Sequence, residues 1–566
     1  MHPVLHDLTV RFWDLSLEAS PLLATMLGDH RFDDRLGPVT HEEIDPLLAR
    51  AREIIAAAER IAPEGLDRDD QLTRLLLIAE GTTALLLYET GLFSASIDPL
   101  IGVHVDLQQG AAQTTVQTPD QAAMILTRYR GVPDYLKRAM IRHRADAAQG
   151  VLPAAINVTR VIGQLDAYLQ TPLETDPFLM TRPPADWPGE DDWRSALSDI
   201  VTREIRPAFA GYRAGLAEHI APYARSEDRP GLAWVADGEE TYTKLIRAFT
   251  TLDLDADEIH AIGVEHATVT LLDEYAAVGT AAFGVGEHRQ VFERLLHDPD
   301  LRYRSAEEMV NHASTTIDRA WEAAPDWFNV MPKAPCAVIE IPPALAPSQP
   351  AAYYLPPAPD GSRPGSYFLN THAPETRIRA EAEATTFHEA IPGHHFQVTI
   401  ASELEGLPEF RKHAIGFAHA EGWGLYCERL ADEMGLYSSN IDRLGMLSAD
   451  SWRAGRLVVD TGLHHLGWTR RQAIEFLSEW SAVEPATIEQ EVDRYIGMPG
   501  QALSYKVGQR EIVRLRRVAE SRLGDRFSLK GFHDVMLTEG SIPLPVLASQ
   551  VESWIETVEH DGLADR

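Results

Sequence analysis

Cysteine is nearly absent from this chain of 566 residues, with Cys336 and Cys427 its only two. Two cysteines make no disulfide framework and no thiolate zinc site. Cys427 falls in a helix-like segment, where a buried thiol acts as a small apolar side chain. Long apolar runs are missing as well: nothing approaches the ~18 residues that span a membrane. The stretch Met1–Ser20 carries Asp7, Arg11, Asp14 and Glu18 where a signal peptide needs an unbroken apolar run. Positive charge is scarce, with 51 Lys and Arg against 85 Asp and Glu, a net charge of −34. A surface that acidic repels nucleic acid phosphates and anionic lipid. The expectation is a cytoplasmic protein with neither nucleic acid nor membrane as partner, its oligomeric state not legible. Catalytic signatures are missing too: there is no G-x-S-x-G nucleophile elbow and no P-loop. None of the 22 histidines has Glu three residues before it, which excludes the paired E-x-x-H motifs of a di-iron carboxylate bundle.

What is present is mostly helix. Residues 44–61, 71–92, 119–150 and 194–221 repeat apolar side chains at three- and four-residue spacing with charges between. Pro and Gly cluster at junctions such as Ala62-Pro63-Glu64-Gly65 and Arg229-Pro230-Gly231. A turn-rich stretch near residue 230 marks a boundary between an N-terminal helical region, 1–230, and a second one, 231–566. Only residues 336–370 break the pattern. The runs Cys336–Ile341, Ala352–Leu355 and Ser366–Leu369 are β-branched and aromatic, and Pro- and Gly-rich turns separate them, including Asp360–Gly365. They predict a small antiparallel sheet. Its edge strand either holds an extended peptide or closes a plain hairpin.

Directly after the sheet comes His388-Glu389-Ala390-Ile391-Pro392-Gly393-His394-His395. In the ordinary H-E-x-x-H helix two imidazoles share one face and hold zinc, with the Glu beside the metal as general base. Here the fifth position is Pro392. On a regular helix a residue six positions on is rotated by ~120°, and one seven on lies ~10 Å away, so neither can share a metal with His388. Pro392, however, has no N–H for the carbonyl of His388 and its ring clashes there, so the helix must kink. A Pro-Gly bulge brings His394 to the second ligand position, or His395 if the bulge is tighter; His394 is favoured. The alternative is a kinked core helix with merely hydrogen-bonded histidines.

A third ligand is expected from the helical segment 414–430. Glu421 sits in the otherwise apolar A-E-G-W-G-L-Y and so needs a buried partner. Gly422 and Gly424 next to it allow close approach to the metal helix. Glu428, seven residues on, is placed to support a ligating histidine from behind. The expected cofactor is one zinc ion per chain, on His388, His394 and Glu421, with Glu389 as base.

The pieces H-E-A-I-P-G-H-H-F-Q (388–397), E-G-W-G-L-Y (421–426), W-R-A-G-R-L-V-V-D-T-G-L-H (452–464), P-G-Q-A-L-S-Y-K-V-G (499–508) and R-P-G-S-Y-F-L-N (363–370) resemble the bacterial DUF885 family. More remotely the chain is similar to the all-helical gluzincin peptidases. The resemblance implies a mainly α, large multi-helix gluzincin-like fold with a deep cleft, residues 1–230 forming one wall. It implies a zinc metallopeptidase acting on small peptides, carboxypeptidase- or dipeptidase-like. Hydrolysis of a non-peptide amide at the same zinc site, or an inactive peptide-binding protein, are the alternatives. The segment 499–508 resembles the one that supplies the oxyanion donor in helical gluzincins, which points to Tyr505. His464 and His465 are candidates for contacting substrate. Arg453, Arg456 and Arg510 are candidates for gripping a substrate carboxylate, since guanidinium pairs with it bidentately.

Overall fold

Apolar stripes of the length seen here must be buried against one another, and the computed structural model packs them into helices throughout. It describes residues 2–564 apart from 93–95, 343–345, 347–349, 358–362 and 415, and no side chains beyond 560. Part of the expected turn at Asp360–Gly365 lies outside the described residues. The chain forms two compact units: Met1–Leu245 with Leu463–Arg471 and Asp493–Pro499, and Ile246–Gly462 with Gln472–Val492 and Gly500–Arg566.

In the first unit two helices begin at capping boxes. Thr40 and Glu43 form a capping box ahead of His41–Glu59, and Thr118 and Gln121 do the same for Pro119–Arg130. The single helix expected over 119–150 is two, Pro119–Arg130 and Val132–Ala148. Pro133 cannot donate, and its ring crowds the carbonyl four residues back. Likewise the segment 194–221 becomes Glu190–Ile200 and Arg206–His219, joined by a π turn at Val201–Ile205 just ahead of Pro207. Tyr129, Phe178, Trp193 and Phe209 fill the core between them.

The second unit carries the motifs. Among its elements are α1 (Ala306–Ala323), β1 (Cys336–Glu340), β2 (Ala352–Leu355), β3 (Gly365–Leu369), α2 (Ala382–Glu389), α3 (His394–Glu403), α4 (Phe417–Glu433) and α7 (Leu503–Leu523), with α5 (Asn440–His464) as far as Gly462 and α6 (Pro485–Gly497) as far as Val492. The sheet is not the antiparallel one expected. Its order is β1-β3-β2, with β1 parallel and β2 antiparallel to β3. β3 is the most buried of the three, and its central place pairs the backbone on both its sides, leaving the half-buried β1 and β2 at the edges.

The expected metal helix is broken in two: α2 ends at Glu389 and α3 starts at His394. The carbonyl of Pro392, at the centre of the Pro-Gly break, is satisfied from α4. Trp423 donates its indole N–H to the carbonyl of Pro392 (3.0 Å), and the Cys427 thiol donates to the same oxygen (3.4 Å). A side chain at 393 would overlap the carbonyl of His388, so the bulge closes only around glycine. Upstream, Glu383 fastens α2. This fully buried carboxylate accepts from Arg319 of α1 (2.8 Å), from the Ser438 N–H (2.9 Å) and hydroxyl (2.5 Å), and faces His312 of α1 at 3.3 Å.

Candidate metal centre

Four side chains from three helices converge on one point in the second unit. His388 and Glu389 close α2, His394 opens α3, and Glu421 comes from the first turn and a half of α4. One ligand atom each of His388, Glu389 and His394 lies within 4.8 Å of the others. The Nε2 atoms of His388 and His394 stand 3.4 and 3.5 Å from the same Glu421 oxygen, Oε2. Two donors each about 2.1 Å from a tetrahedral ion stand about 3.4 Å apart, so this spacing suits one zinc-sized cation between them. The two imidazole planes cross at 88° with centroids 4.8 Å apart, an edge-to-face contact that leaves both Nε2 atoms beside the same Glu421 oxygen. The donor set of two imidazoles and a carboxylate is one that zinc accepts.

His388 is held from behind. Its Nδ1–H donates to Glu428 Oε1 at 2.8 Å, and Glu428 is buried. That bond fixes the tautomer that leaves Nε2 for the cation. Gly424 lets the ring lie flat against α4, since a Cβ there would sit 2.6 to 2.9 Å from its atoms. Gly422 serves another contact than the one expected: it approaches the backbone of Gly508 on α7, not the metal helix. The phenol ring of Tyr505, on the first turn of α7, stacks at 6.2 Å and 23° on the His388 imidazole. The start of α7 is pinned by Asp460 of α5, whose carboxylate accepts from the Gly500 N–H (3.0 Å).

Charge is arranged around this point. Burial raises the Glu389 carboxyl above the ordinary 4.5, with His394 and His388 pulling the other way. Burial alone would lower His388, but its hydrogen bonds to Glu421 and Glu428 outweigh that and push it up to about 9. Burial also disfavours the charged form of Glu421, yet the bonds from His388 and His394 hold it well below the carboxylate range. Glu421 is therefore an anion poised for a cation, and a divalent ion taking that role must displace a proton from His388.

The other candidates fall into different surroundings. His395 points away from the cluster: Nε2–H donates to the Ala334 carbonyl (3.1 Å), while Nδ1 meets the Tyr354 hydroxyl of β2 (2.9 Å). His464 is fully buried in the first unit, its Nδ1 accepting from the Leu232 N–H and its Nε2–H donating to the Tyr495 carbonyl. Burial lowers it to about 3, so it is a neutral structural histidine and is not brought to the cluster. Arg510 is exposed and lines a separate cavity of about 1040 Å³ with Arg429, Asp450 and Lys506, which none of the four clustered residues lines. Arg453 and Arg456 do face the centre's surroundings. Arg453 Nη2 lies 3.6 Å from Glu428, and Arg456 lies over the Tyr505 ring.

Trp423, Asp460 and Glu383 went unremarked in the sequence. Glu383 carries the same signal that singled out Glu421, an acid within an apolar helical run, A-E-A-T-T-F. A second group, His312, Glu383 and Asp442, has metal-like spacing. There the Arg319 guanidinium already occupies Glu383, and the group serves as an anchor for α2.

Among the described residues no helix is long and apolar enough to cross a membrane. None of the functionally curated proteins matches the chain. Solved structures similar to it over nearly its whole length include two described as putative lipoproteins. One, "the putative lipoprotein from Colwellia psychrerythraea", has 25% identity and a TM-score of 0.89, covering 98% of this chain and 99% of that one. The other, "a putative lipoprotein of unknown function from Shewanella oneidensis", has 19% identity and a TM-score of 0.73, covering 96% and 99%. The second shares the fold. The family model described as "Bacterial protein of unknown function (DUF885)" matches residues 21–551, spanning both units and every residue of the centre, so the chain belongs to the bacterial DUF885 family.

Proposed function

We propose that this protein is a zinc-dependent hydrolase of peptide bonds in small peptides, with a gluzincin-like site. The observation that carries the reading is the convergence of both imidazole Nε2 atoms on one Glu421 oxygen, at 3.4 and 3.5 Å, with Glu389 in the same cluster. A purely structural histidine pair has no use for a half-buried carboxylate such as Glu389 within ligand distance of both imidazoles. A zinc ion on His388, His394 and Glu421 would supply Lewis acidity toward the scissile carbonyl.

The chain's own groups supply the rest. Glu389, its carboxyl raised by burial, takes a proton from the attacking water and delivers it to the departing nitrogen. Tyr505 donates its hydroxyl to the oxygen that gains charge as the carbonyl becomes tetrahedral. Arg453, partly exposed and with Nη2 3.6 Å from Glu428 behind His388, is the guanidinium beside the centre that would meet a substrate carboxylate. That favours carboxypeptidase- or dipeptidase-like action. β2, an edge strand tied to His395 through Tyr354, offers its outer backbone groups to an extended peptide.

The test is the Glu389→Gln variant, which keeps the shape but cannot accept a proton. It should bind zinc as the wild type does and cleave a mixed dipeptide and oligopeptide library at least ~10²-fold more slowly, with products read by mass. Equal turnover by both proteins refutes the mechanism. No turnover by either, with zinc present, removes peptides as the substrate class and moves the reading to a non-peptide amide or to binding alone.

A further inference from the structure

Arg456 is one turn beyond Arg453 on α5, and it is built into the protein differently. Its side chain is only 5% exposed. Nη2 donates to Glu491 Oε2 of α6 at 2.9 Å, and the guanidinium lies 4.5 Å from the centroid of the Trp452 ring and 4.3 Å from that of Tyr505. The Tyr505 ring in turn stacks on His388. A cation so engaged has little freedom to meet a substrate, so the carboxylate-gripping role does not suit it.

From this geometry we infer that Arg456, held by Glu491, is a positioning residue: it fixes the Tyr505 ring beside His388 and strengthens its hydroxyl as a hydrogen-bond donor. The physical basis is twofold. A guanidinium over an aromatic face is attracted by the ring's negative quadrupole, and the attraction grows where water is excluded. The same positive charge stabilises the partial negative charge that the phenol oxygen takes on as its hydroxyl donates, which strengthens that hydrogen bond to an oxygen gaining charge. Glu491 supplies the fixed anchor. Its bond to Nη2 gives the guanidinium a direction that attraction to a ring face alone does not impose. The chain Glu491–Arg456–Tyr505–His388 thus runs from α6 through α5 and α7 to α2.

This inference rests on the reading of Tyr505 as the donor in a zinc hydrolase, so its test has one arm that needs no activity. In protein labelled with 3-fluorotyrosine, the resonance of position 505 is identified by its loss in Tyr505→Phe. In Arg456→Met that resonance should shift and broaden, as the ring loses its cation and its fixed orientation. Glu491→Gln should do so less, and Arg456→Lys should restore part of the wild-type line. An unchanged resonance in Arg456→Met overturns the proposal whatever the protein hydrolyses.

In the kinetic arm, Arg456→Met should lower kcat about tenfold with KM and zinc content unchanged, and should have no further effect in a Tyr505→Phe background. A rise in KM that persists in that background, and vanishes for substrates with an amidated C-terminus, overturns it in favour of substrate gripping. If the resonance responds while no peptide is cleaved, the positioning stands and the assignment of the reaction fails.

Discussion

Replacing Gly424 by alanine adds a single methyl group, and the structure says where it goes. The new carbon stands 2.6 Å from His388 Cε1, 2.7 Å from Nε2 and 2.9 Å from Nδ1. Ordinary contact between such atoms is about 3.5 Å or more, so one side must yield by about 0.8 Å. Helix α4 resists, because Gly422 two residues earlier already packs backbone against Gly508 of α7 and Trp423 is bonded into the Pro-Gly bulge. The imidazole therefore moves, against its 2.8 Å bond to Glu428. Metal–nitrogen bonds tolerate about 0.2 Å, well below the displacement required. We expect zinc affinity to fall about 10–100-fold, the range seen when a ligand's orienting partner is lost. The measurement is a competition titration with a chromophoric chelator, alongside circular dichroism to show that helix content is kept. Affinity within threefold of wild type, in a folded protein, would mean that His388 does not ligate from this face of α4.

The two neighbouring histidines should separate cleanly. His394→Ala should lose zinc by elemental analysis. His395→Ala should keep it but melt earlier, because His395 ties Tyr354 and Ala334 to α3; the reverse order would transfer the ligand role. Glu383 tests the anchoring of α2. Burial by itself would raise its carboxyl, but bonds from His312, Ser438 and Arg319 hold it at about 2 instead of 4.5. A depressed folded-state value stabilises above the unfolded one and loses that contribution as pH falls from about 4.5 toward 2. The shift corresponds to about 3 kcal/mol at neutral pH. Urea unfolding of Glu383→Gln should show a loss of that order at pH 7 that shrinks steadily between pH 4.5 and 2.5. A pH-independent difference would remove the carboxylate's charge from the explanation.

Some of this protein could be read in one dimension, because the relevant physics is local. Helix periodicity and the break at Pro392-Gly393 depend on residues within a few positions of one another. So did the idea that an acid at 421 inside an apolar run wants a partner. The resemblance to DUF885 rested on such short pieces, and the family match over residues 21–551 bears it out. Composition likewise sufficed to exclude a disulfide scaffold.

Other features belonged to the tertiary structure alone. The bulge could have delivered either His394 or His395; carbonyl capping by Trp423 and the pull of Tyr354 and Ala334 on His395 decided between them. The strand order followed burial of β3, which no property of β1 or β2 taken singly reveals. His464, Arg456 and Arg510 look alike in sequence, a polar residue among helical apolar ones. They part company because one meets backbone groups of Leu232 and Tyr495, one meets Glu491 and two rings, and one faces an open cavity. Partners more than thirty residues apart are chosen by how helices approach. That approach is set by backbone contacts such as Gly422 on Gly508, which depend on the packing of the whole unit and leave no periodic trace along the chain.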